Sequence, residues 1–404
     1  MYIHRALEKR IRNASEHFRA LIVTGPRQVG KTTLLKHLVE DARAYITLDD
    51  PVAREAANSE PALFLERHKP PVIIDEIQYA PNLLPYIKMY IDTHQNKGDF
   101  WLTGSQKFHM MKDVSESLAG RIAVIEMHGL SQSEIEGAES GPFVCDHAVM
   151  DERCKARKPQ SLTDVYERIF NGAMPVAYAG EFVRDEFYAG YVNTYLERDV
   201  RSLAQVADEL DFLCFMTACA ARTSEMVNYA DLAKDVGISA PTAKRWLSVL
   251  VSSGIVTLIQ PYFNNRLKRA VKSPNMYFMD TGLAVYLTRW DSPKTLEASS
   301  ISGKLFETYV VSEILKSYHN AGKQPPVYYY RDADGKEIDL VLEYNGTVYP
   351  IEVKKTANPG RDAVKNFDVL QNIGMTVGEG AVVCLYHKVS PLGRNNWIVP
   401  AWLI

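Results

Sequence analysis

A glycine-rich loop near the N-terminus has the residue types and spacing that suit phosphate binding. Residues 25–32 match the pattern G-x-x-x-x-G-K-[ST] and read Gly25-Pro26-Arg27-Gln28-Val29-Gly30-Lys31-Thr32. An apolar run precedes the loop and an amphipathic helical pattern follows it, as in a P-loop. Backbone N–H groups and the helix N-terminus favour anions there. The alternative is a chance glycine-rich turn before a helix. We expect residues 25–32 and Thr33 to bind ATP or a related nucleotide, with Lys31 on the β and γ phosphates and Thr32 on Mg²⁺.

Two acidic residues end an apolar run at 72–74 and could complete this site. Asp75 is expected to hold Mg²⁺ directly or through water, and Glu76 to polarise the water that attacks the γ-phosphate. Such a pair could also be a solvated acidic turn at the end of a strand. Together with the loop at 25–32, it predicts hydrolysis and not only binding.

Hydroxyl side chains end another apolar run, at 100–103. Thr103 or Ser105 would lie beside the nucleotide if this run is a parallel strand, and either could sense the γ-phosphate. Plain capping of a strand end explains them equally well. Arg121 precedes a further strand pattern. We consider it either an arginine finger that acts across a subunit boundary or an ordinary surface residue.

A second group of chemically capable residues lies in the last hundred positions. Asp339 falls in a strand pattern at 338–343, and after a turn at Asn345-Gly346 the returning strand carries Glu352 and Lys354 on one face. With Glu307 on a preceding helix, the acids could share Mg²⁺ while Lys354 orients water. This set resembles the D…E-x-K core of restriction endonucleases. Glu–Lys pairing on an exposed strand is the alternative.

The elements that must position these residues alternate between strand and helix patterns. Residues 1–135 predict an α/β P-loop NTPase core with a mostly parallel sheet. Residues 136–205 are expected to hold an insertion, a loop at about 136–161, and a helical region. A winged-helix-like domain at 206–290 and a linker at about 291–302 are predicted next. A small restriction-endonuclease-like α/β domain at 300–404 completes the prediction.

Motifs along nearly the whole chain resemble those of the bacterial and archaeal AAA-type ATPases with a C-terminal domain of unknown function. The motifs lie at residues 25–33, 74–78, 102–105, 118–121, 195–199, 277–283 and 329–332. The resemblance implies an AAA-like core with Lys31, Thr32, Asp75 and Glu76 in the roles above. It does not fix the sensor, and residues 136–161 do not fit the family pattern. In AAA proteins a helical region often places an arginine over the nucleotide, but we favour a surface ion pair for Arg198 and Asp199.

The middle of the chain reads as a helix-turn-helix followed by a wing. Between positions 230 and 272 there are seven basic and two acidic residues, a local net charge of +5. For a DNA-binding domain we expect Thr242, Lys244 and Arg245 in the major groove. Arg266, Lys268 and Arg269 would then touch phosphates. Winged helices also serve as protein-packing modules, which is the alternative.

Bulk composition narrows the classes of protein. A net charge of −3 gives no global attraction to nucleic acid, so any such site must be local. The five cysteines form no Cys-x-x-Cys pair, which disfavours structural zinc or a disulfide framework. The apolar stretch at 212–221 is too short to span a bilayer. No signal-peptide pattern is seen. We therefore expect a cytoplasmic protein without a membrane partner.

Three functions remain after these observations. The first is a Mg²⁺-dependent AAA-like ATPase coupled to a DNA-facing C-terminal half. The second is a nucleotide-regulated switch or scaffold that binds a protein and cleaves nothing. The third is a metal-dependent DNA nuclease gated by ATP. A homo-oligomer follows only if Arg121 acts in trans.

Overall fold

The computed structural model describes residues 2–39, 43–105, 118, 120–139, 141–196, 200, 209–262, 273–332, 334–372 and 374–404. The chain forms two compact units. The first comprises Met1–Leu130, Ser252–Gly254 and His319–Gly322, and the second comprises Ser131–Val251, Ile255–Tyr318 and Lys323–Ile404.

The first unit is built on a five-stranded sheet in the order β2-β3-β4-β1-β5. Its strands are β1 (Ala20–Thr24), β2 (Ala44–Thr47), β3 (Val72–Asp75), β4 (Phe100–Gly104) and β5 (Ile122–Glu126). Every neighbouring pair is parallel. The predicted parallel sheet is confirmed, and the residues that follow β1, β3 and β4 emerge at one edge.

Helices cover this sheet. They are α1 (Glu8–His17), α2 (Lys31–Leu38), α3 (Pro51–Ser59), α4 (Pro61–Arg67) and α5 (Leu83–His94). Helix α2 buries Leu34, Leu35 and Leu38. The apolar side of α5 joins Ile22, Ile74 and Leu102 of the sheet in the main core. Burial of both faces explains why β1, β3 and β4 are apolar at almost every position.

The second unit begins with helices, including one where the sequence predicted a loop. They are α6 (Gln132–Glu136), α7 (His147–Ala156), α8 (Leu162–Asn171), α9 (Val176–Ala179), α10 (Arg184–Tyr195) and α11 (Glu209–Ala221). The prediction of a loop over 136–161 is wrong for α7. Asp146 caps this helix through the N–H groups of Ala148 and Val149, and Met150 is its one buried residue. A helix with so little apolar surface has no visible periodicity.

Two further helices and a small sheet form the region of the predicted winged helix. They are α12 (Tyr229–Val236), α13 (Ala240–Ser252), β6 (Glu225–Met226), β7 (Val256–Ile259) and β8 (Asn275–Phe278), with the strands in the order β6-β8-β7. Gly237 ends α12 in the left-handed conformation. The Ser239 hydroxyl accepts the Thr242 N–H at the start of α13, as the sequence predicts.

The chain continues through helices α14 (Thr281–Leu287), α15 (Pro293–Glu297) and α16 (Ser302–Asn320). The predicted linker over 291–302 therefore contains a short helix. Its cap is Ser292, whose hydroxyl accepts the Thr295 N–H, and Pro293 occupies its first turn.

A mixed sheet in the order β14-β15-β13-β11-β10-β9, with β12 beside β11, ends the second unit. Its strands are β9 (Val327–Arg331), β10 (Glu337–Tyr344), β11 (Thr347–Lys354), β12 (Thr376–Val377), β13 (Gly380–Cys384), β14 (Ser390–Gly393) and β15 (Asn396–Pro400), and helix α17 (Asp368–Asn372) precedes β12. Tyr344 pairs with Thr347, which confirms the two-residue hairpin at Asn345-Gly346. Both turn residues have positive φ, as such turns require.

Candidate functional site

The loop between β1 and α2 has a backbone that only glycine permits at its first position. Gly25 has φ of 148°, and a Cβ atom there would lie 1.9 Å from the carbonyl oxygen of Met127. Gly30, with φ of 93°, turns the chain into α2. The Lys31 ammonium group is buried and donates to the carbonyl oxygens of Gly25, at 2.9 Å, and Pro26, at 2.7 Å. The loop therefore wraps closely around its own lysine.

Asp75, at the end of β3, is held by hydroxyl groups from three separate elements. The Thr32 hydroxyl donates to Oδ1 at 2.8 Å, and Thr103 of β4 donates to the same oxygen. Tyr45 of β2 donates to Oδ2 at 2.9 Å. Burial, followed by the hydrogen bond to Asp75, raises the pKa of Tyr45 to about 12, so the phenol keeps its proton. Both carboxylate oxygens of Asp75 therefore accept hydrogen bonds from fixed hydroxyl groups.

Glu76 follows in a left-handed conformation, with φ of 59°. Its N–H donates to the Thr103 hydroxyl at 3.0 Å, which ties this turn to β4. Its carboxylate accepts a short hydrogen bond from the Gln78 amide and a second bond, at 3.3 Å, from Ser105. Left-handed backbone at a non-glycine residue is uncommon and often marks a functional turn. These contacts hold the carboxylate against residues that follow β3 and β4.

The two predicted sensor candidates occupy different places. Thr103 contacts Asp75 and the Glu76 backbone, whereas Ser105 contacts the Glu76 carboxylate and, at 3.2 Å, the Gln78 amide. Tyr45 and Gln78 were not predicted as site residues. Gln78 lies two positions after Glu76, in a motif that the sequence already marked. Tyr45 carries no such signal, because its role depends on β2 being the neighbour of β3.

The donor set fits a hydrated Mg²⁺ ion and a triphosphate. One hydroxyl and one carboxylate, Thr32 and Asp75, lie in contact, and hard oxygen ligands of this kind suit Mg²⁺. The tight turn at Gly25, the ammonium group of Lys31 and the start of α2 are groups that could hold the phosphates. Thr33 of the same helix turn is exposed, as are the side chain of Gln28 and, partly, that of Arg27. This arrangement supports ATP binding and hydrolysis.

The buried side chain of Arg5 supports the phosphate loop by hydrogen bonds to backbone carbonyl groups. The Arg5 guanidinium donates to the carbonyl oxygens of Val29 and His128, each at 2.8 Å. Val29 directly precedes Gly30 and Lys31 in the loop. Arg5 is buried, so these bonds form out of contact with water. Sequence reasoning did not single out Arg5.

Arg121 lies away from this edge of the sheet. It directly precedes β5, whereas the phosphate loop follows the opposite end of β1. Because β1 and β5 are parallel neighbours with Ala20 opposite Ile122, Arg121 is level with Arg19, about six residue steps or roughly 20 Å before Gly25. The Arg121 side chain lies 2.6 Å from Asp92 of α5. It therefore does not contact the phosphate loop of its own chain.

The second group of predicted residues converges in the second unit. The Tyr277 hydroxyl of β8 donates to Glu307 of α16 at 2.8 Å. The Val353 N–H donates to Asp339 at 2.8 Å, and the Lys354 ammonium group lies 2.6 Å from Glu352. Lys354 and Glu352 thus share one face of β11, as the strand alternation predicts. Lys354 is the more open of the two, with 43% of its side chain exposed against 12% for Glu352.

Buried like charges dominate the electrostatics of this second group. Burial, and then the charge of Asp339, raises the pKa of Glu307 to about 8 and that of Glu352 to about 7. Burial also raises the pKa of Asp339, against the opposing effect of Lys354. In the described part of the chain, these three acids do not have ligand atoms all within 4.8 Å of one another. A shared cation would suit their oxygen donors, but would have to draw them together.

The basic positions of the middle region are only partly described. Lys234, Lys244 and Arg245 are exposed, and Thr242 is half-buried on the same helix as Lys244. Nearby Asp235 is paired with Arg222 at 2.6 Å, which offsets its charge. Several residues predicted to contact phosphates or to form a helix ion pair lie outside the described residues: Arg266, Lys268, Arg269, Arg198 and Asp199.

In the described part of the chain, no helix is both long enough and apolar enough to cross a membrane. The five cysteines are all free, as the sequence predicts.

Three family models match the chain in succession. An AAA domain matches residues 17–136, a Domain of unknown function (DUF8612) matches 162–294, and a Domain of unknown function (DUF4143) matches 302–404. Uncharacterized proteins of Mycobacterium tuberculosis and Mycobacterium bovis are each 28% identical to the chain over 353 residues. Each alignment covers 87% of this chain and 73% of the relative.

A solved Walker-type ATPase of Pyrococcus abyssi is 14% identical to the chain, with a TM-score of 0.43. The match covers 71% of this chain and 96% of that one. The AAA match contains Lys31, Thr32, Asp75, Glu76 and Thr103, the residues that meet at the sheet edge. The two matches of unknown function follow it along the chain. The chain therefore combines an AAA domain with two domains of unknown function that follow it.

Proposed function

We propose that this protein is a Mg²⁺-dependent ATPase whose nucleotide state is coupled to a DNA-facing C-terminal half. The observation that carries the ATPase part is the contact of Thr32 and Thr103 with one carboxylate oxygen of Asp75. This contact joins the phosphate loop, β3 and β4 at a single point. A magnesium ion bound there would neutralise charge on the β and γ phosphates.

Several side chains of the protein have separate roles in the proposed hydrolysis. Lys31 exchanges the carbonyl oxygens of Gly25 and Pro26 for phosphate oxygens when nucleotide enters. Glu76 accepts a hydrogen bond from the attacking water and polarises it. Gln78 and Ser105 donate hydrogen bonds to the Glu76 carboxylate. These bonds must loosen before the carboxylate can accept a hydrogen bond from the water. Thr103 links this turn to Asp75, so the two acids move together.

We assign Arg121 to a trans role, as an arginine finger for a neighbouring subunit of a homo-oligomer. Its distance from the phosphate loop of its own chain argues against a role in cis. Asp92 orients the guanidinium at 2.6 Å. Mixing Arg121→Ala subunits with Glu76→Ala subunits should restore part of the turnover that each variant lacks alone, because a mixed interface joins an intact Glu76 to an intact Arg121. Absence of any restoration contradicts the trans role.

The DNA-facing role is supported by the exposed basic residues of α13. Lys244 and Arg245 project into solvent from the second helix of the predicted helix-turn-helix. The acid closest to them in sequence, Asp235, is held by Arg222. Thr242, near the helix start, adds a hydroxyl that can read a base edge or a phosphate.

A salt series tests this DNA contact. The full chain is titrated with duplex DNA at several salt concentrations, next to a Lys244→Ala/Arg245→Ala double variant. Each lost phosphate contact should weaken binding and reduce the slope of log K against log salt by about one. Lys294→Ala, an exposed lysine of α15, is the matched control and should leave the slope unchanged. Binding that is absent, or independent of salt, contradicts the DNA role and leaves the protein-binding switch as the function to pursue.

A second activity, metal-dependent DNA cleavage, is favoured by the group at Glu307, Asp339, Glu352 and Lys354. Acids that raise each other's pKa by burial and repulsion gain from a shared divalent cation, and Lys354 is open enough to meet a phosphate or water. DNA incubated with Mg²⁺ or Mn²⁺ should be cleaved by the wild type. Asp339→Ala and Lys354→Ala should each abolish cleavage. Equal cleavage by all three proteins assigns the activity to a contaminant.

A further inference from the structure

Two histidines and a glutamate form a separate cluster in the first unit, away from the nucleotide-binding edge. His4 precedes α1, Glu8 begins it, and His37 lies in the last turn of α2. One ligand atom from each of the three lies within 4.8 Å of the others. His4 and His37 are exposed, and Glu8 is 21% exposed, so the cluster is open to solvent on one side.

The spacing within this cluster suits ligands of one metal ion. His4 Nδ1 lies 3.3 Å from Glu8 Oε1. Two ligands about 2.1 Å from a tetrahedral zinc ion lie about 3.4 Å apart. The third ligand, a ring nitrogen of His37, lies within 4.8 Å of the other two ligand atoms, so a small adjustment of its side chain would bring it to the same ion.

Tyr2 contacts all three side chains and acts as their support. Its hydroxyl donates to Glu8 Oε1 at 2.8 Å. Its ring stacks on His37 with centroids 3.7 Å apart, and meets the His4 ring edge-on at 5.5 Å. The Arg5 N–H adds a further bond to Glu8, at 2.9 Å. Metal ligands are usually oriented by such neighbours, which fix ring and carboxylate directions.

We propose that His4, Glu8 and His37 bind a divalent transition-metal ion of the zinc class. Two imidazoles and one carboxylate favour zinc, nickel, cobalt or copper over Mg²⁺ or Ca²⁺, which prefer oxygen ligands alone. Water completes the coordination on the exposed side. The cluster is independent of the proposed function, since none of its members lies in the nucleotide-binding edge.

Metal binding here would tether the N-terminal segment to the helix of the phosphate loop. His4 and Glu8 flank Arg5, the residue whose guanidinium braces the Val29 carbonyl. His37 lies in the same helix that Lys31 begins. An ion held by all three ligands therefore restricts the segment that positions Arg5 under the loop. We expect zinc to raise the melting temperature of the protein and Mg²⁺ at the same concentration to have a smaller effect.

The test is a calorimetric titration of the nucleotide-free full chain with zinc chloride. His4→Ala, His37→Ala and Glu8→Gln are compared with the wild type and with His17→Ala. His17 is an exposed histidine of α1 outside the cluster, which makes it the matched control. Zinc could also bind the acids near Glu307. The quantity compared is therefore the binding event that the wild type shows and that the cluster variants lose.

We expect the wild type to bind one zinc ion per chain at His4, Glu8 and His37. Loss of either histidine should weaken that event by about tenfold or more, and Tyr2→Phe should weaken it less. His17→Ala should bind as the wild type does. Melting temperatures without zinc should agree among the wild type and the three histidine variants, since the replaced rings are exposed. The His4→Ala/His37→Ala double variant should bind one zinc ion fewer per chain than the wild type. If the two proteins give the same titration curve, the proposal is wrong.

Discussion

The hydroxyl group of Thr32 lies 2.8 Å from a carboxylate oxygen of Asp75, although 43 positions separate the two residues. The parallel sheet produces this contact, because β1 and β3 both end at the edge where their connecting loops meet. Thr103 approaches the same oxygen from β4, which lies between them. Asp75 therefore joins the start of α2 to β3 and β4.

Tyr45→Phe tests the contribution of β2 to this point. The variant loses one hydrogen bond, at 2.9 Å, to the second oxygen of Asp75. A net loss of about 1 kcal/mol corresponds to roughly a fivefold change, so the Mg²⁺ concentration for half-maximal turnover should rise by about that factor. Tyr86→Phe, on the exposed side of α5, is the control and should match the wild type. An unchanged Mg²⁺ requirement in Tyr45→Phe would show that Asp75 does not need this bond.

Gly25→Ala tests whether the close approach of the loop to Met127 is required. A Cβ atom would lie 1.9 Å from the Met127 carbonyl oxygen, so the loop must move. We expect nucleotide affinity to fall by about two orders of magnitude, measured by binding of a fluorescent ATP analogue. Gly137 also has a positive φ, of 64°, but no atom lies within 4 Å of an added Cβ, so Gly137→Ala should lose only stability. Equal affinities in the two variants would contradict the steric argument.

Much of the nucleotide-binding edge is predictable from sequence. The apolar strands, the loop at 25–32 and the acids at 75 and 76 are local patterns, and the parallel sheet brings them together once strand order is assumed. Asn345-Gly346 likewise predicts its hairpin, because few other residue pairs accept positive φ twice. These features depend on neighbours in sequence or on the rules of parallel sheets.

Other features depend on tertiary contacts that no local pattern contains. Tyr45 matters because β2 pairs with β3, and its neighbours in sequence do not show this. Helix α7 is stabilised by the cap at Asp146 and buries Met150 alone, so it lacks an apolar stripe. Arg5 reaches Val29 across 24 positions. Its type and spacing match no motif for phosphate binding.

The stability of the second unit should depend on pH through Glu307. The folded protein holds this proton until about pH 8, whereas an unfolded glutamate releases it near pH 4.3. Stability from this group is complete below about pH 4.3 and falls as pH rises toward 8, because the unfolded chain binds fewer protons in that range. Glu307→Gln should flatten the dependence of the melting temperature between pH 5 and 8.

Glu16→Gln, an exposed residue of α1, serves as the control for this pH series and should keep the wild-type profile. The same linkage makes cation binding stronger at higher pH, since protons and the cation compete for the acids. Mn²⁺ should therefore stabilise the wild type more at pH 8.5 than at pH 6.5. A Glu307→Gln profile as steep as the wild type would contradict the assignment of this titration.

In the proposed reaction, Glu76 polarises water for hydrolysis while Lys31, Thr32 and Asp75 bind the nucleotide. The most direct measurement compares Glu76→Gln with the wild type in Mg²⁺-ATP binding and in single-turnover hydrolysis. Gln keeps the size of the side chain but removes the base. We predict an ATP Kd within about twofold of wild type and a hydrolysis rate at least about 100-fold lower. A wild-type rate in Glu76→Gln, with binding intact, would contradict the claim.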